Sequence, residues 1–118
     1  MDLDLSTRVV DDRAVVTVTG EVDLETASQL GDHALEALRE QPHLLLDLSG
    51  VTFMDSTGLK VLLSVQRRAD LSGGSLALAG ATSPVRKILA LTGLDQTFAV
   101  YDEVADVPPV SGDAAPTA

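Results

Sequence analysis

Leu3 and Leu5 alternate with Asp2, Asp4 and Ser6, and after the interruption Asp11-Asp12-Arg13 the alternation resumes with Val16 and Val18 against Thr17 and Thr19. A period of two predicts two half-buried strands joined by a turn. From Asp23 the period lengthens. Leu24, Ala27, Leu30, Ala34 and Leu38 share one helical face, Asp32, Glu36 and Glu40 lie off it, and Pro42 prevents continuation. Asp23 is placed to be the N-cap of this helix.

Leu44, Leu45, Leu46 and Leu48 form an apolar run too short for a helix, which predicts a buried strand over residues 44–48. A short loop then leads into a helix from about residue 56 to 71, with Leu59, Leu62, Leu63 and Gln66 at helical spacing and Asp55 or Ser56 as its N-cap. Ser72-Gly73-Gly74 stops that helix ahead of a small-residue strand over Ser75–Ala79. Ser83 and Pro84 read as the N-cap and first residue of another helix, whose buried stripe of Val85, Ile88 and Leu89 ends at Gly93. A short strand near Phe98–Val100 and a brief helix complete the domain, expected to span residues 1–107. Residues 108–118, rich in Pro and Ala, carry too little apolar surface to offset their ordering entropy and are expected to form a disordered tail.

Strands alternating with helices imply parallel crossovers. The expected fold class is therefore α/β, a single domain with a mixed four- to five-stranded sheet packed with about four helices. Functional sites of such sheets gather where strands run out into helices. The turns at Gly20–Asp23 and Asp55–Gly58 both lie at such ends and are expected to share one surface.

Composition narrows the function. The formal net charge of −10 over 118 residues opposes binding to nucleic acid or to an anionic membrane, both of which need a clustered positive face. Aromatic residues make up 3% of the chain, leaving little surface for stacking on bases or sugars. Cysteine is absent, which removes disulfides, thiolate catalysis and sulfur-ligated zinc. His33 and His43 stand apart, with no spacing of acidic partners that would make a metal site. No apolar run approaches the length of about 18 residues that suggests a membrane span, and the acidic N-terminus does not resemble a signal peptide. A cytoplasmic protein, monomeric when free and without a cofactor, is expected. The charges are also segregated: Asp2, Asp4, Asp11, Asp12, Glu21, Asp23 and Glu25 fill the first quarter, whereas Lys60, Arg67, Arg68, Arg86 and Lys87 fall in the two later helices.

Catalytic motifs are lacking. Met54-Asp55-Ser56-Thr57-Gly58 has Met where a nucleophile elbow needs its first Gly, and Leu71-Ser72-Gly73-Gly74, similar to part of an ATP-binding cassette signature, has no phosphate loop to accompany it. Asp47 ends a strand as a phospho-acceptor aspartate does, without the acidic pair that such a site requires. What remains is a hydroxyl at a helix N-terminus. Its simplest role is capping, but the unpaired N–H groups and the helix dipole there also favour an added phosphate.

Phe53-Met54-Asp55-Ser56-Thr57-Gly58-Leu59 resembles the signature of STAS-domain anti-sigma factor antagonists, in which the first hydroxyl after the aspartate is phosphorylated. Gly20-Glu21-Val22-Asp23, Ser83-Pro84-Val85 and Leu91-Thr92-Gly93-Leu94 are similar to further landmarks of that family, in the same order. The resemblance implies a protein that is not an enzyme. It would bind an anti-sigma factor that is also a serine kinase, release a sigma factor, and be inactivated by phosphorylation at Ser56 until a phosphatase resets it. Asp55, Ser56, Thr57 and Gly58, with Glu21 and Asp23 on the neighbouring turn, are the expected partner-binding residues. Other readings of the same resemblance are a STAS subunit of a stress-signalling complex or a lipid-transport accessory, or a STAS domain that binds nucleotide itself.

Overall fold

A computed structural model describes residues 2–110. Strands β1 (Leu3–Val10) and β2 (Arg13–Val22) form a hairpin, and helix α1 (Ala27–Glu40), strand β3 (His43–Met54), helix α2 (Ser56–Leu71), strand β4 (Ser75–Ala79), helix α3 (Ser83–Thr92) and strand β5 (Ala99–Tyr101) follow in chain order. Single 3-10 turns occur at Leu94–Gln96 and Val104–Asp106. The five strands lie in sequence order, β1 antiparallel to β2 and every later pair parallel. The sheet is therefore mixed, as expected. Of the roughly four helices expected, three are α-helices and the last is a single 3-10 turn.

Successive parallel neighbours joined by right-handed crossovers put every crossover helix on the same side. Leu30 of α1, Leu62 of α2 and Leu89 of α3 accordingly share one core with Val16, Val18, Leu44, Leu46 and Leu78. The opposite face is thinner, with Val15, Leu45, Ala77 and Ala79 covered by Tyr101, Val104 and Val107 from the C-terminal part of the chain. Arg13 fastens this cover by donating from Nη2 to the Pro108 carbonyl at 2.8 Å. Residues 111–118 of the expected tail lie outside the described residues.

Several local expectations shift. The first helix begins at Ala27, not beside Asp23, and Leu24 is 78% exposed instead of facing the core. The physical reason is Thr26, whose hydroxyl donates to the Glu21 carbonyl at 2.6 Å and keeps residues 23–26 in a turn. The third strand runs to Met54, well past Leu48, so no loop of several residues precedes α2. The N-cap of α3 is Thr82, one residue before Ser83, and its hydroxyl donates to the Val51 carbonyl at 2.6 Å instead of capping the helix. Pro84 thus stands second in that helix.

The long third strand is irregular in a useful way. Ala14 pairs with Leu44 and Val22 with Met54, so β3 places two more residues than β2 over the same span. Register shifts at Thr17/Thr19 and Gly20/Glu21 take up the surplus. Inward-facing residues therefore fall at Leu44, Leu46, Leu48, Val51 and Met54, the interval widening from two to three where the extra residues enter.

Candidate functional site

Met54 is the last residue of β3 and Ser56 the first of α2, so the reversal from strand to helix is made at Asp55. Its backbone stays extended, and Oδ1 accepts from the Thr57 N–H at 2.9 Å and the Gly58 N–H at 3.4 Å. Two of the helix's unpaired donors are satisfied in this way. Asp55, and not Ser56, is thus the cap. The Ser56 side chain is released from that duty: the residue is exposed, and among the described residues its hydroxyl makes no hydrogen bond. Thr57 is half-buried, and Gly58 is buried against Met54 and Val22.

The second turn is brought alongside by the β2–β3 ladder. Glu21 pairs with Phe53 and Val22 with Met54, and the Asp55 N–H donates to the Val22 carbonyl at 3.3 Å. Glu21, Asp23, Asp55, Ser56 and Thr57 are therefore gathered at one end of the sheet, as the sequence led us to expect. Gly58 belongs to the same segment but points inward.

Thr26, which sequence reasoning overlooked, holds the acidic turn. It is 2% exposed; besides donating to Glu21, its hydroxyl accepts from the Asp23 N–H at 3.0 Å. Asp23 Oδ1 in turn accepts from the N–H groups of Glu25 and Thr26 at 3.0 and 3.1 Å. Partial burial pushes the Asp23 carboxyl up, but these donors and the adjacent Thr26 hydroxyl outweigh it, leaving the pKa below its ordinary value. The Asp-x-x-Thr spacing was the available signal, since it has the form of a reciprocal cap.

Apolar side chains frame the acidic residues. Leu24, 78% exposed, lies in the turn over residues 23–26, and Phe53, 43% exposed, lies two residues before Asp55 near the end of β3. Lys60 is exposed one helical turn after Ser56, at the i,i+4 spacing that allows a charged pair.

The histidines take hydroxyl partners. His33 Nε2 lies 2.6 Å from Thr7 Oγ1 and His43 Nδ1 2.8 Å from Ser75 Oγ. Among the described residues no group of His, Asp and Glu side chains is placed to hold a metal ion, and no helix is long and apolar enough to cross a membrane. Asp47 Oδ1 accepts from the N–H and hydroxyl of Ser49, which places it in a local turn contact.

Known proteins resemble the chain in sequence and in fold. The family model described as "Mlab, STAS domain" matches residues 5–102. The chain is 34% identical to the anti-sigma-F factor antagonist RsfB of Mycobacterium tuberculosis over 94 residues, covering 79% of this chain and 76% of that protein. It is 32% identical to the anti-sigma F factor antagonist of Paenibacillus polymyxa over 90 residues, or 75% and 77% of the two chains. The crystal structure of an anti-sigma factor antagonist from Mycobacterium paratuberculosis superposes with a TM-score of 0.80 at 33% identity, covering 89% of this chain and 90% of that one. In sequence and in fold, the chain belongs to the STAS-domain family of anti-sigma factor antagonists.

Proposed function

We propose that this protein is a phosphorylation-controlled antagonist that binds an anti-sigma factor through the Glu21–Asp23 and Asp55–Thr57 turns and so frees a sigma factor. The anti-sigma factor is also the kinase: the Ser56 hydroxyl oxygen attacks the γ-phosphorus of its ATP, ADP leaves, and the hydroxyl proton passes to a base of the kinase. A phosphatase returns Ser56 by hydrolysis. One observation above all supports this reading, namely that Asp55 performs the capping and leaves the Ser56 hydroxyl exposed at a helix N-terminus beside an acidic turn. The names of the relatives favour the antagonist role over membership of another assembly.

Inhibition would act at the interface. A dianion pressed against a surface fitted to a neutral hydroxyl is desolvated without a partner, which costs several kcal/mol and lowers affinity by orders of magnitude.

The test is incubation with an anti-sigma factor kinase of the same organism, with ATP and magnesium, followed by phosphopeptide mapping and affinity measurement. Phosphate is expected on Ser56; Ser56→Ala should bind and resist modification, and Ser56→Asp should bind poorly. Charge reversal at Glu21 should slow association at low salt, the effect fading as salt screens it. Modification confined to Thr57 or Ser49, or undiminished binding by Ser56→Asp, would overturn the reading.

A further inference from the structure

Along the outward side of α2 a single line of residues runs from the candidate phosphoacceptor to the helix end: Ser56, Lys60, Leu63, Arg67 and Leu71, spaced by three or four. The core-facing side of the helix is made by Gly58, Leu59, Leu62, Val65 and Ala69. A helix with one face in the core ordinarily keeps the opposite line polar. Here two leucines stand on it, Leu71 76% and Leu63 37% exposed. Shallow hollows of about 340 and 360 Å³ border the line, one shared with α1 through Leu35 and the other reaching Thr97.

Its charge is opposite to that of the molecule. Lys60, Arg67 and Arg68 are three of the chain's eight Lys and Arg residues, and Asp70 is the only acid of α2, on a protein of net charge −10. Among the described residues the salt bridges engage Arg39 and Arg86, so none of these three cations is paired. We propose that this line is a docking surface for an acidic amphipathic helix of a partner protein, its apolar side chains seated beside Leu63 and Leu71 and its carboxylates meeting Lys60, Arg67 and Arg68. The charges select this occupant. A second copy joined by a two-fold axis would set the same cations against each other, and an anionic membrane would be repelled by the rest of the surface. The surface stands independently of the proposed switch; only its control by phosphate rests on that reading, because a phosphate on Ser56 would lie one turn from Lys60 and compete for it.

The probe is a synthetic helical peptide with Leu at helical spacing on one face and Glu elsewhere, titrated into the isotope-labelled full chain at low salt, with the Lys counterpart as control. Saturable backbone shift changes are expected along residues 60–71 with the Glu peptide and not with the Lys peptide. Binding should weaken at least tenfold in Arg67→Glu/Arg68→Glu, and likewise in Leu71→Ser, both at exposed positions where thermal stability should hold. Absence of saturable shifts, shifts confined to the 20–24 and 53–58 turns, or binding by both variants as tight as that of the wild type would overturn the proposal. So would self-association of the free protein in sedimentation that Leu71→Ser abolishes, which would assign the line to a second copy.

Discussion

The Asp55 N–H donates to the Val22 carbonyl at 3.3 Å, one step beyond the last residue pair of β2 and β3. This bond couples the two turns of the candidate site, for displacement of either end of the ladder carries the other with it. A partner that reads both turns meets a prearranged surface, which limits the ordering that binding requires.

Phosphorylation of Ser56 should leave the fold nearly unchanged. The helix dipole and an i,i+4 pairing with Lys60 each favour the phosphate by a few tenths to about 1 kcal/mol, and repulsion from Asp55 opposes them on a similar scale. Stability in urea should therefore be equal or slightly higher, with NMR shift changes clustered at residues 53–60 and 20–24. A loss above about 2 kcal/mol, beyond ordinary surface effects, would mean that the phosphate remodels the domain.

Asp55→Ala should destabilise the protein by about 1 kcal/mol, since it removes the acceptor of the Thr57 and Gly58 N–H groups. Asp55→Asn, which keeps a capping oxygen, should lose less. Equal losses in chemical denaturation would indicate that charge, not the cap, is what Asp55 contributes.

The two helical glycines should respond differently to alanine. A Cβ at Gly58 would lie 2.8 Å from both Met54 Cγ and Val22 Cγ1, whereas one at Gly31 meets only Val61 Cγ1 at 3.2 Å. Alanine gains about 1 kcal/mol of helix propensity, but overpacking costs about 1–3 kcal/mol. Gly58→Ala should thus be net destabilising and Gly31→Ala near neutral, as urea midpoints would show.

Acid should erase the difference between the wild type and Asp23→Asn. The Asp23 carboxyl is held below its ordinary pKa, so its contribution is complete above that ordinary value, about 3.9, and disappears as pH falls through the lowered one. Urea titrations at pH 7, 5 and 3 should give a gap that is constant between the first two and reduced at the third. A gap that widened in acid would contradict the bonding at this turn.

Strict alternation in Leu3, Leu5, Val16 and Val18 made the hairpin readable, and the hydroxyl-rich stretch after β3 pointed to the α2 start. What escaped lay outside the local periodicity. Leu24 fits the helical stripe of Ala27, Leu30 and Ala34, yet a Thr26 contact five residues back to Glu21 delays the helix and leaves that leucine exposed. Similarly, Thr82 is fixed by a carbonyl 31 residues away. The extension of β3 to Met54 was hidden because its inward positions after Leu48 fall at intervals of three, which matches no strand template.

Those wider intervals give β3 slack on one side only. Inward Leu48, Val51 and Met54 hold a fixed rank against β2, while Ser49-Gly50 and Thr52-Phe53 each occupy an outward place where one residue would suffice. Shortening the strand by Ser49 or Thr52 would leave the inward rank intact and change chiefly the bend with which the strand delivers Asp55. Stability and aim are thereby separable in this chain: the helix start can be re-pointed from the outer face without recutting the interior.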